Sequence, residues 1–86
     1  MPLLTADDIL VNTGTSGANT LVLDYLVGPG DHVIVQYPTY GALYEVPRRA
    51  GADVSLWQAK ETNDWVPDVA ELGGLVKKNT KMLIIK

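Results

Sequence analysis

Two short runs in this chain hold residue types that suit a ligand site. Thr13-Gly14-Thr15-Ser16-Gly17-Ala18 is a small, Gly-rich turn that opens a helical pattern, and Ile34-Val35-Gln36-Tyr37-Pro38-Thr39-Tyr40 is an apolar strand running into a Pro-aromatic loop. A helix starting near Thr15 presents first-turn N–H groups that have no acceptor within the helix, together with a partial positive charge. Gly14 lets the backbone approach closely, and the Thr15 and Ser16 hydroxyls add neutral donors, a combination suited to a phosphate dianion. Tyr40 offers a ring face to a heteroaromatic group, worth about 0.5–1.5 kcal/mol beyond burial. Together they suit a flat, phosphorylated ligand. Each run also has an ordinary structural account: Thr13 or Thr15 caps a helix, and Tyr40 and Tyr44 are i, i+4 neighbours on one. The turn is not a P-loop, since no Lys follows the glycines, and it lacks the G-x-G-x-x-G spacing of dinucleotide folds.

The elements that must position these runs alternate along the chain. Ile9-Leu10-Val11 reads as a short strand ending at Asn12-Thr13-Gly14. From Gly17 the spacing becomes helical, with Ala18, Leu21, Val22, Tyr25 and Leu26 on one face. Gly28-Pro29-Gly30-Asp31 ends that helix, with Gly28 at its C-terminal cap. Val33-Ile34-Val35 is a β-branched run, the mark of a strand covered on both faces. A second helix is expected from Gly41 to Ala50, stopped by Gly51, with Pro47 kinking it or delaying its start. Val54 and Leu56 alternate with Ser55 in a half-buried strand, and 58–66 reads as loop. Pro67-Asp68 starts a third helix with Pro at its first position, an apolar face of Val69, Leu72, Leu75 and Val76, and Lys77 and Lys78 at its end. Met82-Leu83-Ile84-Ile85 reads as a last buried strand. The order β-α-β-α-β-α-β predicts an α/β fold with a mainly parallel, three-layer sheet and right-handed crossovers. Ligands of such sheets bind at the carboxyl ends of the strands, where both runs fall. The chain stops within a strand and carries little helix for a doubly covered sheet, so residues 1–86 read as part of a larger domain.

Composition narrows the partners. The 86 residues are 47% hydrophobic, which is globular rather than disordered. A net charge of −3 with scattered basic residues argues against nucleic acid or an anionic membrane. No cysteine is present, which excludes disulfides and thiolate metal sites and fits a reducing, cytoplasmic setting. No apolar run reaches the ~20 residues of a membrane span. The only histidine, His32, reads as a surface or strand-start residue with no second ligand for a metal. Trp57 and Trp65 flank a polar loop and read as covering edge surface.

Taken in order, Ile9 to Ala18, Gly28 to Val35, Tyr37-Pro38-Thr39-Tyr40 and Ala50-Gly51-Ala52-Asp53-Val54 resemble the large domain of pyridoxal-5′-phosphate (PLP) dependent aminotransferases of class I and II, fold type I. The resemblance implies that Gly14, Thr15 and Ser16 hold the cofactor phosphate and that Tyr40 stacks on the pyridine ring. It implies amino-acid and 2-oxo-acid substrates and a homodimeric parent enzyme. It also implies that the Schiff-base lysine, the aspartate facing the pyridine nitrogen and the substrate-gripping arginine lie downstream. None of Lys60, Lys77, Lys78, Lys81 or Lys86 sits in a context like that of the catalytic lysine. The chain alone is therefore not expected to transaminate. The alternatives are a free-standing phosphate- or nucleotide-binding α/β module and a non-catalytic interaction piece.

Overall fold

The computed structural model describes residues 3–86. Its centre is strand β1, His32–Tyr37, in which Val33, Ile34 and Val35 are 0%, 1% and 0% exposed. A β-branched run without polar alternation is stable only where both faces and both edges are covered. β1 meets that requirement by pairing in parallel with β2, Asp53–Gln58, on one side and β3, Thr80–Ile84, on the other. The sheet order is β2-β1-β3, with all strands parallel.

Helix α1 spans Gly14–Leu26 and α2 spans Ala42–Arg49. Leu23 and Val27 from the end of α1, and Leu43 and Val46 from α2, form one cluster with Val33 and Val35, flanked by Val54, Leu56, Met82 and Ile84. Register explains the grouping, because Val33 pairs with Val54 and Met82, and Val35 with Leu56 and Ile84. All six therefore point to the same face. The third helix, α3 (Val69–Leu75), packs against β2, where the Trp57 indole N–H donates to the Asp68 carbonyl at 2.9 Å. Asp68 caps α3 by accepting from the Ala70 N–H at 2.9 Å.

Several expectations need correction. The described residues form three strands rather than four. Ile9-Leu10-Val11 pairs with none of them and is 62%, 75% and 88% exposed. A strand exists only through its ladder, and this run pairs with the outer edge of neither β2 nor β3. The apolar face of α1 is also not the one its spacing predicts: Leu21, Val22, Tyr25 and Leu26 are exposed and, with Leu10, line an open hollow of about 360 Å³. The inward stripe instead carries Leu23 and Val27 beside the half-buried Asn19 and Thr20, so the more apolar stripe faces outward. The last strand is a half-buried edge, with Leu83 and Ile85 exposed. Helix α1 ends at Leu26 with Val27 as its cap, one residue before Gly28.

Pro47 sits inside α2, which runs through it unbroken from Ala42. The ring is fully buried, so apolar packing offsets the hydrogen bond the helix forgoes, and the Pro47 carbonyl accepts from the Ala52 N–H at 3.1 Å. Gly51 ends the helix at φ 94°; a Cβ there would lie 3.0 Å from the Pro29 ring, so the two turns abut. Pro67 falls before the α3 cap, and α3 stops at Leu75, which leaves Lys77 and Lys78 in the following turn. There the Lys77 ammonium meets Asp53 at 2.8 Å, tying the turn before β3 to the start of β2. This hydrogen bond and charge hold the Asp53 carboxyl below the ordinary carboxylate range.

His32 is not a surface residue. It is fully buried, and its ring nitrogens meet Thr80 Oγ1 at 2.6 Å and Ser55 Oγ at 2.8 Å, one hydroxyl from each neighbouring strand. A buried imidazole needs both nitrogens partnered, and hydroxyls, which donate or accept, satisfy either tautomer. The Lys77 N–H also donates to Thr80 Oγ1 at 2.7 Å, which joins the turn before β3 to the same network.

Two measurements test this account. His32→Leu fills most of the volume but orphans both hydroxyls, and should lower the unfolding free energy by about 2–4 kcal/mol in urea titration. For Asp53, a folded-state pKa below its unfolded value means that the Lys77 contact adds stability above the unfolded pKa, about 3.9. That contribution is lost as pH falls through the folded value. Lys77→Met should raise the Asp53 midpoint, read by carboxyl-carbon NMR, toward the ordinary range.

Candidate functional site

From β1 the chain crosses to β2 on one side, then returns past β1 to β3 on the other. In open α/β sheets such a reversal leaves a crevice outside the carboxyl ends of the two diverging strands. Here those ends are Tyr37, leading into Pro38-Thr39-Tyr40, and Ile84, leading into Ile85 and Lys86. A cleft of about 270 Å³ lies at that point, walled by Thr15 and Asn19 of α1, by Tyr40 and Leu43, and by Ile84 to Lys86.

The turn that opens α1 has the backbone its glycines anticipate. Gly14 has φ 63°, which side-chain-bearing residues seldom adopt, and it starts the helix. Asn12 ties the turn together: its Oδ1 accepts from the Thr13 N–H at 2.6 Å, and its Nδ2 donates to the Gly17 carbonyl at 3.3 Å. A Cβ on Gly17 would come within 3.4 Å of Asn12 Oδ1, so glycine keeps this approach open. Asn12 stands outside the expected ligand residues, and an Asn just before Thr-Gly signals a side-chain-closed turn.

The Ser16 and Tyr40 hydroxyls lie 3.3 Å apart, so the Gly-rich turn and the aromatic loop meet although 24 residues separate them. Tyr40 is half exposed, with its ring free of the core. Behind it, Tyr37 and Tyr44 pack edge to face at 5.9 Å, and the Arg48 guanidinium lies over Tyr44. Thr39 Oγ1 is buried without a hydrogen-bond partner, in the same loop as Tyr40. Lys86, which the motifs did not single out, places its ammonium 5.9 Å from the Tyr40 ring centroid, and its backbone N–H donates to Gln36 Oε1 at 3.0 Å.

Of the residues singled out in the sequence, Thr15, Ser16 and Tyr40 thus gather at one strand end with Gly14 beside them. His32, at the amino end of β1, lies outside the cleft. The side chains lining the cleft carry hydroxyls, an amide and one amine beside the apolar Leu43, Ile84 and Ile85. That set can bind and orient an anion and a flat ring. Among the described residues no three His, Cys, Asp or Glu side chains gather to hold a metal.

Residues 2–86 match the family described as aminotransferase class I and II. Alanine aminotransferase of Mycobacterium tuberculosis is 30% identical over 84 residues, covering 98% of this chain and 20% of that protein. A PLP-dependent aminotransferase from Streptococcus suis superposes with a TM-score of 0.79 at 51% identity, over 84% of this chain and 19% of that one. Alanine aminotransferase from Pyrococcus furiosus superposes with a TM-score of 0.82 at 26% identity, over 93% and 20%. The chain thus spans about a fifth of the length of these relatives. With a match running through the Gly-rich turn, the aromatic loop and all three strands, the chain belongs to the aminotransferase class I and II family.

Proposed function

We propose that residues 1–86 form part of the large domain of a PLP-dependent aminotransferase, and that the cleft between the carboxyl ends of β1 and β3 holds the cofactor. The observation that carries this reading is the contact of Ser16 with Tyr40, which joins an anion-binding turn and a stacking ring at a sheet reversal. The residues present fit the group. Gly14, at positive φ, and the first-turn N–H groups of Thr15 and Ser16 suit a dianionic phosphate, and their hydroxyls add donors. Tyr40, with its ring exposed, suits the face of a pyridine.

When bound, PLP supplies the electron sink that lets an amino group pass from an amino acid to a 2-oxo acid. The chain's own part is to bind and orient. The α1 turn fixes one end of the ring through its phosphate, and Tyr40 fixes the plane. Leu43, Ile84 and Ile85 line the cleft with apolar surface that limits water. The family's Schiff-base lysine, the aspartate at the ring nitrogen and the substrate-binding arginine belong to the remainder of such an enzyme. The family resemblance supports a homodimeric, cytoplasmic parent enzyme. No helix among the described residues is long and apolar enough to cross a membrane.

In the complete enzyme, Ser16→Asp sets a carboxylate against the phosphate and should weaken PLP retention about tenfold or more in equilibrium dialysis. Unchanged retention would refute the phosphate assignment. Tyr40→Ala should lose about 0.5–1.5 kcal/mol of cofactor affinity with slower turnover, while Tyr40→Phe, which keeps the ring, should be mild. Equal losses in the two variants would assign the effect to the hydroxyl rather than to stacking.

A further inference from the structure

One residue of β3 is out of step with its ladder. His32 pairs with Thr80, but Val33 pairs with Met82, so Lys81 has no partner on β1 and forms a bulge. Two demands that differ by one residue account for it. Past the bulge, Met82 and Ile84 sit beside Val33 and Val35 and join the core under α1 and α2. A regular ladder in that register would set Lys81, rather than Thr80, beside the fully buried His32 and leave one imidazole nitrogen without its hydroxyl. Instead Thr80 is held at His32 by two bonds. The His32 backbone N–H donates to the Asn79 carbonyl at 3.0 Å, and His32 Nδ1 meets Thr80 Oγ1 at 2.6 Å. Thr80 Oγ1 already accepts from the Lys77 N–H, which favours its own proton going to His32 Nδ1 and the Nε2–H going to Ser55 Oγ. The unpaired Lys81 turns its ammonium toward Asp31, at 3.8 Å.

We infer that His32 is a positioning residue for the cleft at the other end of the sheet, acting through the bulge it imposes on β3. A bulge bends its strand and steepens the local twist. The bend at Lys81 therefore sets the direction in which Met82, Leu83 and Ile84 run, and Ile84 stands in the cleft wall with Thr15 and Tyr40. His32 itself lines no part of the cleft, so its effect travels along the strand. The inference deepens the cofactor reading above, on which its effect on PLP rests; the origin of the bulge does not depend on that reading. Without the His32–Thr80 bond the ladder becomes regular, with position 32 opposite Lys81. The turn before β3 then shifts by one residue, about 3.3 Å, which takes Lys77 off Asp53.

The test compares two variants of the complete enzyme by crystal structure and by equilibrium dialysis of PLP. His32→Val combined with Thr80→Val removes both partners of the bond and keeps strand-forming residues. His32→Gln keeps an acceptor for Thr80 and a donor for Ser55. In the double variant the backbone N–H of position 32 should bond the carbonyl of position 80 instead of Asn79, the Lys77–Asp53 contact should open, and PLP retention should fall about three- to tenfold as one aliphatic wall moves off its ligand. His32→Gln should keep the bulge and the retention. Should the double variant not fold, Thr80→Val alone, which leaves the imidazole bonded to Ser55, gives the same readout. A bulge that persists without the His32–Thr80 bond overturns the inference. Ser16→Asp separates the two readings. If it weakens retention while loss of the bulge does not, the positioning role fails and the cofactor site stands. If Ser16→Asp leaves retention unchanged, the cofactor site fails, and with it the effect of His32 on PLP.

Discussion

The structure depends on the requirement that β1 be covered everywhere at once. Val33, Ile34 and Val35 offer no polar face to water, so the strand needs neighbours on both edges and cover above and below. That need draws β2 and β3 to opposite sides of it and brings α1 and α2 onto the face carrying Val33 and Val35. It also buries His32, which two hydroxyls from the flanking strands make tolerable. The sheet reversal that opens a cleft beside Tyr40 follows from the same placement.

The cleft is economical chemically. Its polar groups are hydroxyls, an amide and an amine, and its shape comes from a tight turn closed by Asn12 and from a loop rigidified by the packing of Tyr37 on Tyr44. Such groups hold a ligand in place but leave proton transfer to others. The chain spans about a fifth of the length of the aminotransferases it matches.

The parts of the fold fixed by local chemistry were legible in the sequence. The β-branched run gave β1, Gly51 stopped α2, and the Gly-rich turn opened α1. What was not legible depended on three-dimensional partners. Ile9-Leu10-Val11 has strand composition, yet strand formation requires an edge to pair with. The stripe of α1 that faces inward was not legible because the more apolar stripe is the outward one, and Leu23 and Val27 pack inward among polar neighbours by meeting Leu43 and Val46. His32 looked ordinary because its partners Ser55 and Thr80 lie 23 and 48 residues away. Lys86 carried no motif, and only the return of β3 beside β1 sets its amine near Tyr40.

The order β2-β1-β3 also has a kinetic meaning. β1 and β2 are joined by a short crossover through α2, whereas β3 closes on β1 only after the chain has travelled through β2 and α3. Closure of the longer loop costs more entropy before any contact rewards it, so local pairing leads and β3 docks late. The cleft has one wall from α1 and the β1 loop and another from β3, so it exists only once that late strand is in place. A ligand touching both walls would therefore act as a clasp on the last step of folding, stabilising the docked strand in proportion to its occupancy.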